Sequence, residues 1–357
     1  MFPFMARRIM LAGFSCWVIS LMGFLVIQLP PGDRIDRMLA TLEGECGSGF
    51  QYACDSSIYY GGSNSYGDTH GKAQAEQLRQ LLGYDGPMYV RYWKWVLSMA
   101  EGDFGIGMMR AGTQMTPGMR SVTEIVGDRI WLTIWLTAAT AIFVFVVSFP
   151  IGVYSAVRQH SIGDYASTFI GFVGLSVPDF LFALLLAFVM FEYFDKSAGG
   201  LFLGDMRYQP WSIAKIWDLL LHLWVPVIVL GTGGTASTIR VLRNNLLDEK
   251  RKPYVVSAIA KGLAEWKAIL KYPLRVSMNP VISNVGSILP GLIGGSVIIS
   301  IILDLPTVGP FLLEAIDTQD VYVGGFIILM MGVLGVIGVL ISDILLVIMD
   351  PRIRMWD

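Results

Sequence analysis

The chain has 357 residues, of which 54% are hydrophobic and 15% charged, and its formal net charge is −2. A soluble globular chain carries about 25% charge, so this composition excludes an ordinary water-soluble domain. The near balance of charge, with no basic tail, gives no sign of nucleic-acid binding. The residues read as a membrane protein.

Six stretches approach the ~20 apolar residues that a bilayer core requires: 9–29, 130–157, 165–191, 223–239, 281–303 and 323–349. The first follows Arg7 and Arg8, as a signal peptide would, but its apolar run exceeds the ~7–15 residues of a signal h-region. It ends in Leu29-Pro30-Pro31-Gly32-Asp33 without a run of small residues, so an uncleaved anchor is expected. The fourth stretch is short and holds Gly231, Gly233 and Gly234, which leaves a buried helix as the alternative.

Residues 30–129 form an extramembrane segment. Cys46 and Cys54 bracket "CGSGFQYAC"; an oxidising compartment permits a disulfide there, with two free thiols as the alternative. "DSSIYYGGSNSYGDTHGK" (55–72) has the composition of a loop. Residues 73–105 read as helical, with Pro87 starting a second helix that carries an aromatic face of Tyr89, Tyr92, Trp93, Trp95 and Val96. Packing or an interfacial belt is the ordinary use of such a face. His70, His160 and His222 are scattered without metal-ligand spacing.

The short "RQHSIGD" (158–164) makes the second and third stretches an antiparallel pair. Within the third, "GLSVPDF" (174–180) puts Asp179 after Pro178. An acid inside a membrane is costly enough that function is the default reading; local satisfaction by hydroxyls or a helix end is the alternative. Counted from Tyr165 along a straight helix, Asp179 falls about 21 Å in, past the midplane. Asp343 and Asp350 sit near the inner end of the last stretch, where snorkelling or pairing with Arg352 or Arg354 is expected.

Between the fourth and fifth stretches, nine basic residues from Arg240 to Arg275 outnumber Asp248, Glu249 and Glu265. Pro253 suits a helix start, and Val256, Ile259, Ala260, Leu263, Trp266, Ile269 and Leu270 follow a helical apolar period. Gly262 falls inside that pattern, where glycine costs about 1 kcal/mol relative to alanine. Either another surface approaches closely there, or two short helices break there. A basic helix merely lying on the membrane is a further alternative.

Orientation follows from the basic residues. Fourteen of 26 lysines and arginines fall in segments that an inside amino terminus makes cytoplasmic, while residues 304–322 hold four acids and no base. Short loops rich in Lys and Arg stay inside, and long segments such as 30–129 cross regardless of charge. Both termini are expected in the cytoplasm. The phosphate-loop pattern G-x-x-x-x-G-K-[ST] is absent from the sequence, so the chain has no nucleotide site of that kind.

These residues resemble the membrane subunits of binding-protein-dependent ABC importers. The family motif, E-A-A, three residues, G, nine residues, then I-x-L-P, aligns on Gly262 and keeps Ala258, Gly262 and Leu274. It departs at Val256, Ser257, Tyr272 and Arg275. The dipeptide/oligopeptide/nickel branch is matched better, through Tyr254-Val255-Val256-Ser257-Ala258-Ile259-Ala260-Lys261-Gly262-Leu263. "PPGDR" (30–34), "YWKWVLSMAEGDFG" (92–105), "GDRIWLTIWL" (127–136), "GLSVPDF" (174–180), "LPTVGPFLLEAIDTQD" (305–320) and "DPRIR" (350–354) resemble the B-type permease of that branch, in order along the chain.

The resemblance implies an all-α polytopic membrane protein with the ABC type I importer permease fold. Residues 1–29 would be a cytoplasmic amino terminus and first transmembrane helix, 30–129 an extracytoplasmic insertion, and 130–357 a five-helix core with cytoplasmic coupling helices at about 253–272. It implies a transport subunit in the inner membrane, with no catalytic residue, metal or cofactor of its own. A second permease subunit, two ATPase subunits that bind ATP and Mg, and a solute-binding protein would complete the assembly.

Tyr254, Ala258, Lys261, Gly262, Leu263 and Trp266 would meet the ATPase, Ser176 and Asp179 would line the path, and Tyr59, Tyr60 and Tyr66 would contact the binding protein. The branch carries peptides, nickel and, in some members, oligosaccharides; oligopeptides or related small solutes are expected here, with oligosaccharides the alternative. A proton- or sodium-coupled carrier is a reading of another class, but it calls for paired intramembrane charges or inverted repeats. An intramembrane enzyme calls for a catalytic constellation, and no such grouping appears in the sequence.

Overall fold

The computed structural model describes residues 2–29, 35, 77, 79–80, 86–107, 120–195, 198–202 and 204–349. The elements are α1 (Phe2–Gln28), α2 (Met88–Ala100), β1 (Ile106–Gly107), β2 (Arg120–Ser121), α3 (Val122–Val157), α4 (Ile162–Ser176), α5 (Asp179–Phe194), α6 (Ile213–Lys250), α7 (Pro253–Ala260), α8 (Glu265–Lys271), α9 (Pro273–Ser277), α10 (Asn279–Ser283), α11 (Val285–Ile302), α12 (Val308–Asp317) and α13 (Val321–Met349). A short 3₁₀ turn, Gly204–Tyr208, lies between α5 and α6. Among the described residues four helices are long and apolar enough to cross a membrane, or five if α4 and α5 count as one bent span. Gly291–Ile302, within α11, is a shorter apolar helix.

The six apolar stretches all fall on helices, but the third is not straight. α4 and α5 meet at 101°, because Pro178 disfavours a helical conformation at the residue before it. Val177 is accordingly extended (φ −85°, ψ 121°), and Pro178 becomes the residue ahead of α5. The distance of 21 Å counted along a straight helix therefore does not describe Asp179, which opens the first turn of a new helix.

The short fourth stretch is the middle of α6, a 38-residue helix. Its glycines allow close packing: a Cβ at Gly231 would lie 2.6 Å from the Phe143 ring, and one at Gly234 3.3 Å from Val144. The fifth stretch divides between α10 and α11.

The chain forms two compact units. One comprises Met1–Ser15, Arg129–Pro310 and Met331–Asp357. One core there gathers Leu136, Ala183, Leu201, Leu230, Ile299 and Leu303; another gathers Ala156, Leu242, Leu246, Ile269, Leu274 and Val281. Asp343 pairs with Arg8 at 3.2 Å; Asp350, Arg352 and Arg354 lie outside the described residues. Arg8 lies nearly two turns into α1, so the cation that meets this acid comes from the first helix.

The second unit comprises Cys16–Asp128 and Phe311–Met330. Its core is Phe24, Ile27, Tyr92, Trp95 and Val321. The aromatic face of α2 divides: Tyr92 and Trp95 are buried, with Tyr92 hydrogen-bonded to Ser20 at 2.9 Å, while Tyr89 and Trp93 stay exposed. β1 and β2 pair antiparallel, Ile106 opposite Ser121, a small exception to an otherwise helical chain.

Candidate functional site

α6 delivers the chain to its basic segment. Lys252 pairs with Glu249 at 2.7 Å, and Lys250 Nζ donates to the Ala156 carbonyl at 3.2 Å. Pro253 then occupies the first turn of α7, where its missing N–H costs nothing. α7 ends in a Schellman motif: Leu263 N–H donates to Ala258 O at 3.2 Å and Gly262 N–H to Ile259 O at 2.9 Å. Gly262 has φ +88°, and a Cβ added there would meet nothing within 4 Å. Of the two explanations for this glycine, the structure takes the break between short helices. Close approach within this chain is not its cause.

The expected apolar face also divides. Ala268 and Ile269 of α8 turn inward, Ile269 into the core that holds Leu242 and Leu246 of α6. Val256 (58% exposed), Ile259, Trp266 (59%) and Leu270 remain on the surface, as does Tyr254. Ala258 and Leu263 are half-buried, and Lys261 is exposed. Lys267 Nζ lies 5.3 Å from the Trp266 ring centroid and Lys271 Nζ 5.5 Å from that of Tyr272, so cations border the apolar patch. Aromatic and aliphatic groups thus face outward, rimmed by lysines, while Val255, Ala268 and Ile269 of the same helices are buried.

A residue that sequence reasoning passed over fastens the base of this region. Asp164, in the first turn of α4, is buried at 2% exposure. Its Oδ1 accepts from Ser155 of α3 and from Arg243 Nε at 2.7 Å; its Oδ2 accepts from the His160 N–H and from Arg243 Nη2, both at 2.9 Å. Two parallel N–H···O bonds from one guanidinium are the strong, directional form of the ion pair. Every acceptor direction of the carboxylate is thereby filled, which a buried charge demands. The pattern Ser161-x-x-Asp164 does announce a helix start, and Ser161 caps α4 by accepting from Asp164 N–H at 3.2 Å. Nothing local to Arg243, 79 positions away, names its partner.

At the other end of α4, Ser176 Oγ donates to Phe172 O at 2.7 Å, and the residue is exposed. Asp179 is also exposed, and a Cβ added at Gly233 of α6 would lie 3.6 Å from its Oδ1. Ser176 and Asp179 thus flank one break in the membrane helix. Tyr59, Tyr60, Tyr66, Cys46 and Cys54 lie outside the described residues. Among the described residues no three His, Cys, Asp or Glu side chains group as metal ligands.

Residues 148–355 match the family of binding-protein-dependent transport system inner membrane components. The chain belongs to that family. The matched region begins in the last third of α3 and takes in Asp164, Asp179, Arg243 and Gly262. The permease is 32% identical to the oligopeptide transport system permease protein AppB of Bacillus subtilis, over 94% of each chain. It is 28% identical to the inner membrane ABC transporter permease protein YejB of Escherichia coli, over 98% of each. It is 27% identical to the glutathione transport system permease protein GsiC of Salmonella paratyphi A, over 78% of this chain and 83% of that one. The protein is therefore a permease subunit of a binding-protein-dependent ABC importer, embedded in the membrane. It is a transport component and not itself an enzyme, in a family without a cofactor of its own.

Proposed function

We propose that this permease forms one half of a translocation path for oligopeptides or related small solutes and is driven by ATP hydrolysis on partner subunits. The exposed patch of Val256, Ile259, Trp266 and Leu270, seated on α7 and α8 directly after α6, carries this reading. Burying it against an ATPase subunit removes apolar area from water at about 25 cal/mol per Å². Tyr254, Lys261 and Trp266 contact that subunit, Ala258 and Leu263 support the turn, and Gly262 sets its angle. The names of the B. subtilis and Salmonella relatives, which specify oligopeptide and glutathione transport, support a peptide-like solute.

The assembly we infer has a second, related permease subunit, two ATPase subunits holding ATP and Mg, and an extracytoplasmic binding protein. The chain crosses the inner membrane six times, with α1, α3, the bent pair, α6, α11 and α13 as the spans and both termini in the cytoplasm. Residues 30–129 form the outer segment, where Tyr59, Tyr60 and Tyr66 meet the binding protein. Ser176 and Asp179 line the path at the helix break. The test is cross-linking from position 266. Trp266→Cys, treated with a short thiol-to-amine cross-linker in membranes that hold the whole complex, is expected to join the ATPase subunit. Capture of lipid or of nothing, in a complex that still assembles, would assign the patch to the bilayer surface.

A further inference from the structure

α4 packs along the second half of α6. At the turn end, Asp164 is held by both Arg243 Nε (2.7 Å) and Nη2 (2.9 Å). Farther along, a Cβ added at Gly171 would lie 3.9 Å from the Ala236 Cβ, and one added at Gly174 would lie 3.0 Å from Thr232 Cγ2. At the break, Asp179 Oδ1 faces Gly233 at 3.6 Å from where a Cβ would stand. On α4 the contacts rise from 164 through 171 to 174 while their partners on α6 fall from 243 through 236 to 232, so the two helices are antiparallel neighbours over most of α4.

α3 joins the same bundle at its inner end. Ser155 donates to Asp164, Arg243 Nε also reaches Ser155 Oγ at 3.2 Å, and a Cβ at Gly152 would lie 3.1 Å from Leu242. From Arg243, α6 continues for two further turns into Lys250 and then, through Arg251 and Lys252, into α7.

We infer that Asp164 and Arg243 are positioning residues that make α4 and α6 one arm, so that displacement at α7 and α8 is carried undiminished to the helix break at Val177-Pro178. Two features argue for a fixed arm over a sliding contact. A buried carboxylate with all four acceptor directions filled has no second arrangement of equal quality nearby, because a shift of one residue leaves a charge unpaired. The seam of Gly171, Gly174 and Ala236 brings backbones close together without long side chains that repack. Coupling then needs no continuous wire of contacts: a rigid element whose position both ends share is sufficient. The break supplies the movable joint, since Val177 and Pro178 lie outside both helical ladders.

The inference rests on the coupling role proposed for α7 and α8, and it fails separately from that role, which the cross-link from position 266 reads. The experiment uses the whole reconstituted complex and measures ATPase stimulation on adding the binding protein, a readout that does not depend on which solute is carried. The first arm replaces the pair with neutral groups of similar shape, Asp164→Asn together with Arg243→Gln. In a complex that assembles normally, stimulation is expected to fall about tenfold; wild-type stimulation would overturn the inference. The second arm keeps the pair and places cysteines across the seam, Gly171→Cys with Ala236→Cys, where the 3.9 Å separation fits a disulfide. If the helices move as one, oxidation forms the cross-link and stimulation persists. Loss of stimulation on oxidation, restored by reductant, would show that the helices slide and would overturn the inference, as would failure of the cross-link to form.

Discussion

Gly262 offers a test that separates backbone conformation from space. Its φ of +88° ends α7, and an added Cβ meets nothing within 4 Å. The penalty of a side chain here is therefore conformational, about 1–2 kcal/mol for an L-residue held in the left-handed region. That amount shifts the population of the native turn by about 5- to 30-fold. Asparagine tolerates this region better than alanine although it is larger. At equal membrane abundance, ATP-driven uptake should therefore rank glycine first, then Gly262→Asn, with Gly262→Ala and Gly262→Leu together lowest. Initial uptake rates in cells lacking the native gene, with immunoblots of the membrane fraction as the abundance control, give the ranking. Normal uptake by Gly262→Ala together with an inactive Gly262→Asn would refute the reasoning. That result would mean that volume against a neighbouring surface, and not the angle of the turn, selects glycine.

Asp179→Asn is expected to raise the solute concentration for half-maximal transport while the complex stays intact; unchanged kinetics in a stable variant would remove Asp179 from the path. Gly231→Val forces a branched side chain to within 2.6 Å of the Phe143 ring, so overpacking should cost about 1–3 kcal/mol and lower the melting temperature of the detergent-purified permease. We propose that Cys46 and Cys54 are bridged, which closes a short loop worth about 2–3 kcal/mol; two separately alkylated thiols in the unreduced protein would disprove it.

Hydrophobic runs of membrane length were legible in the sequence because the bilayer imposes one long apolar pattern on each helix. The break at Pro178 was present as a residue but not as a geometry. A proline loosens a helix or ends it according to what the next residues find, and here Asp179 begins a new helix at 101° to the first. The basic segment after α6 was half legible. Its helical period included Ile269 and Trp266 alike, yet Ile269 is buried under α6 and Trp266 is exposed. Periodicity groups residues three apart, whereas the packing of α8 against the core of Leu242 and Leu246 takes in Ile269 and leaves Trp266 outside. The Asp164–Arg243 pair was not legible, since its members are 79 positions apart and each alone reads as a charge at a membrane border.

The central claim, that this chain moves solute only as a partner hydrolyses ATP, is tested most directly by reconstitution. Liposomes holding both permease subunits and both ATPase subunits, supplied with the binding protein and a labelled pentapeptide, should accumulate the peptide with ATP and lose that uptake when the ATPase cannot hydrolyse it. Liposomes holding only the permease subunits should accumulate nothing under an imposed proton or sodium gradient. Gradient-driven uptake by the permease subunits without ATPase would contradict the account.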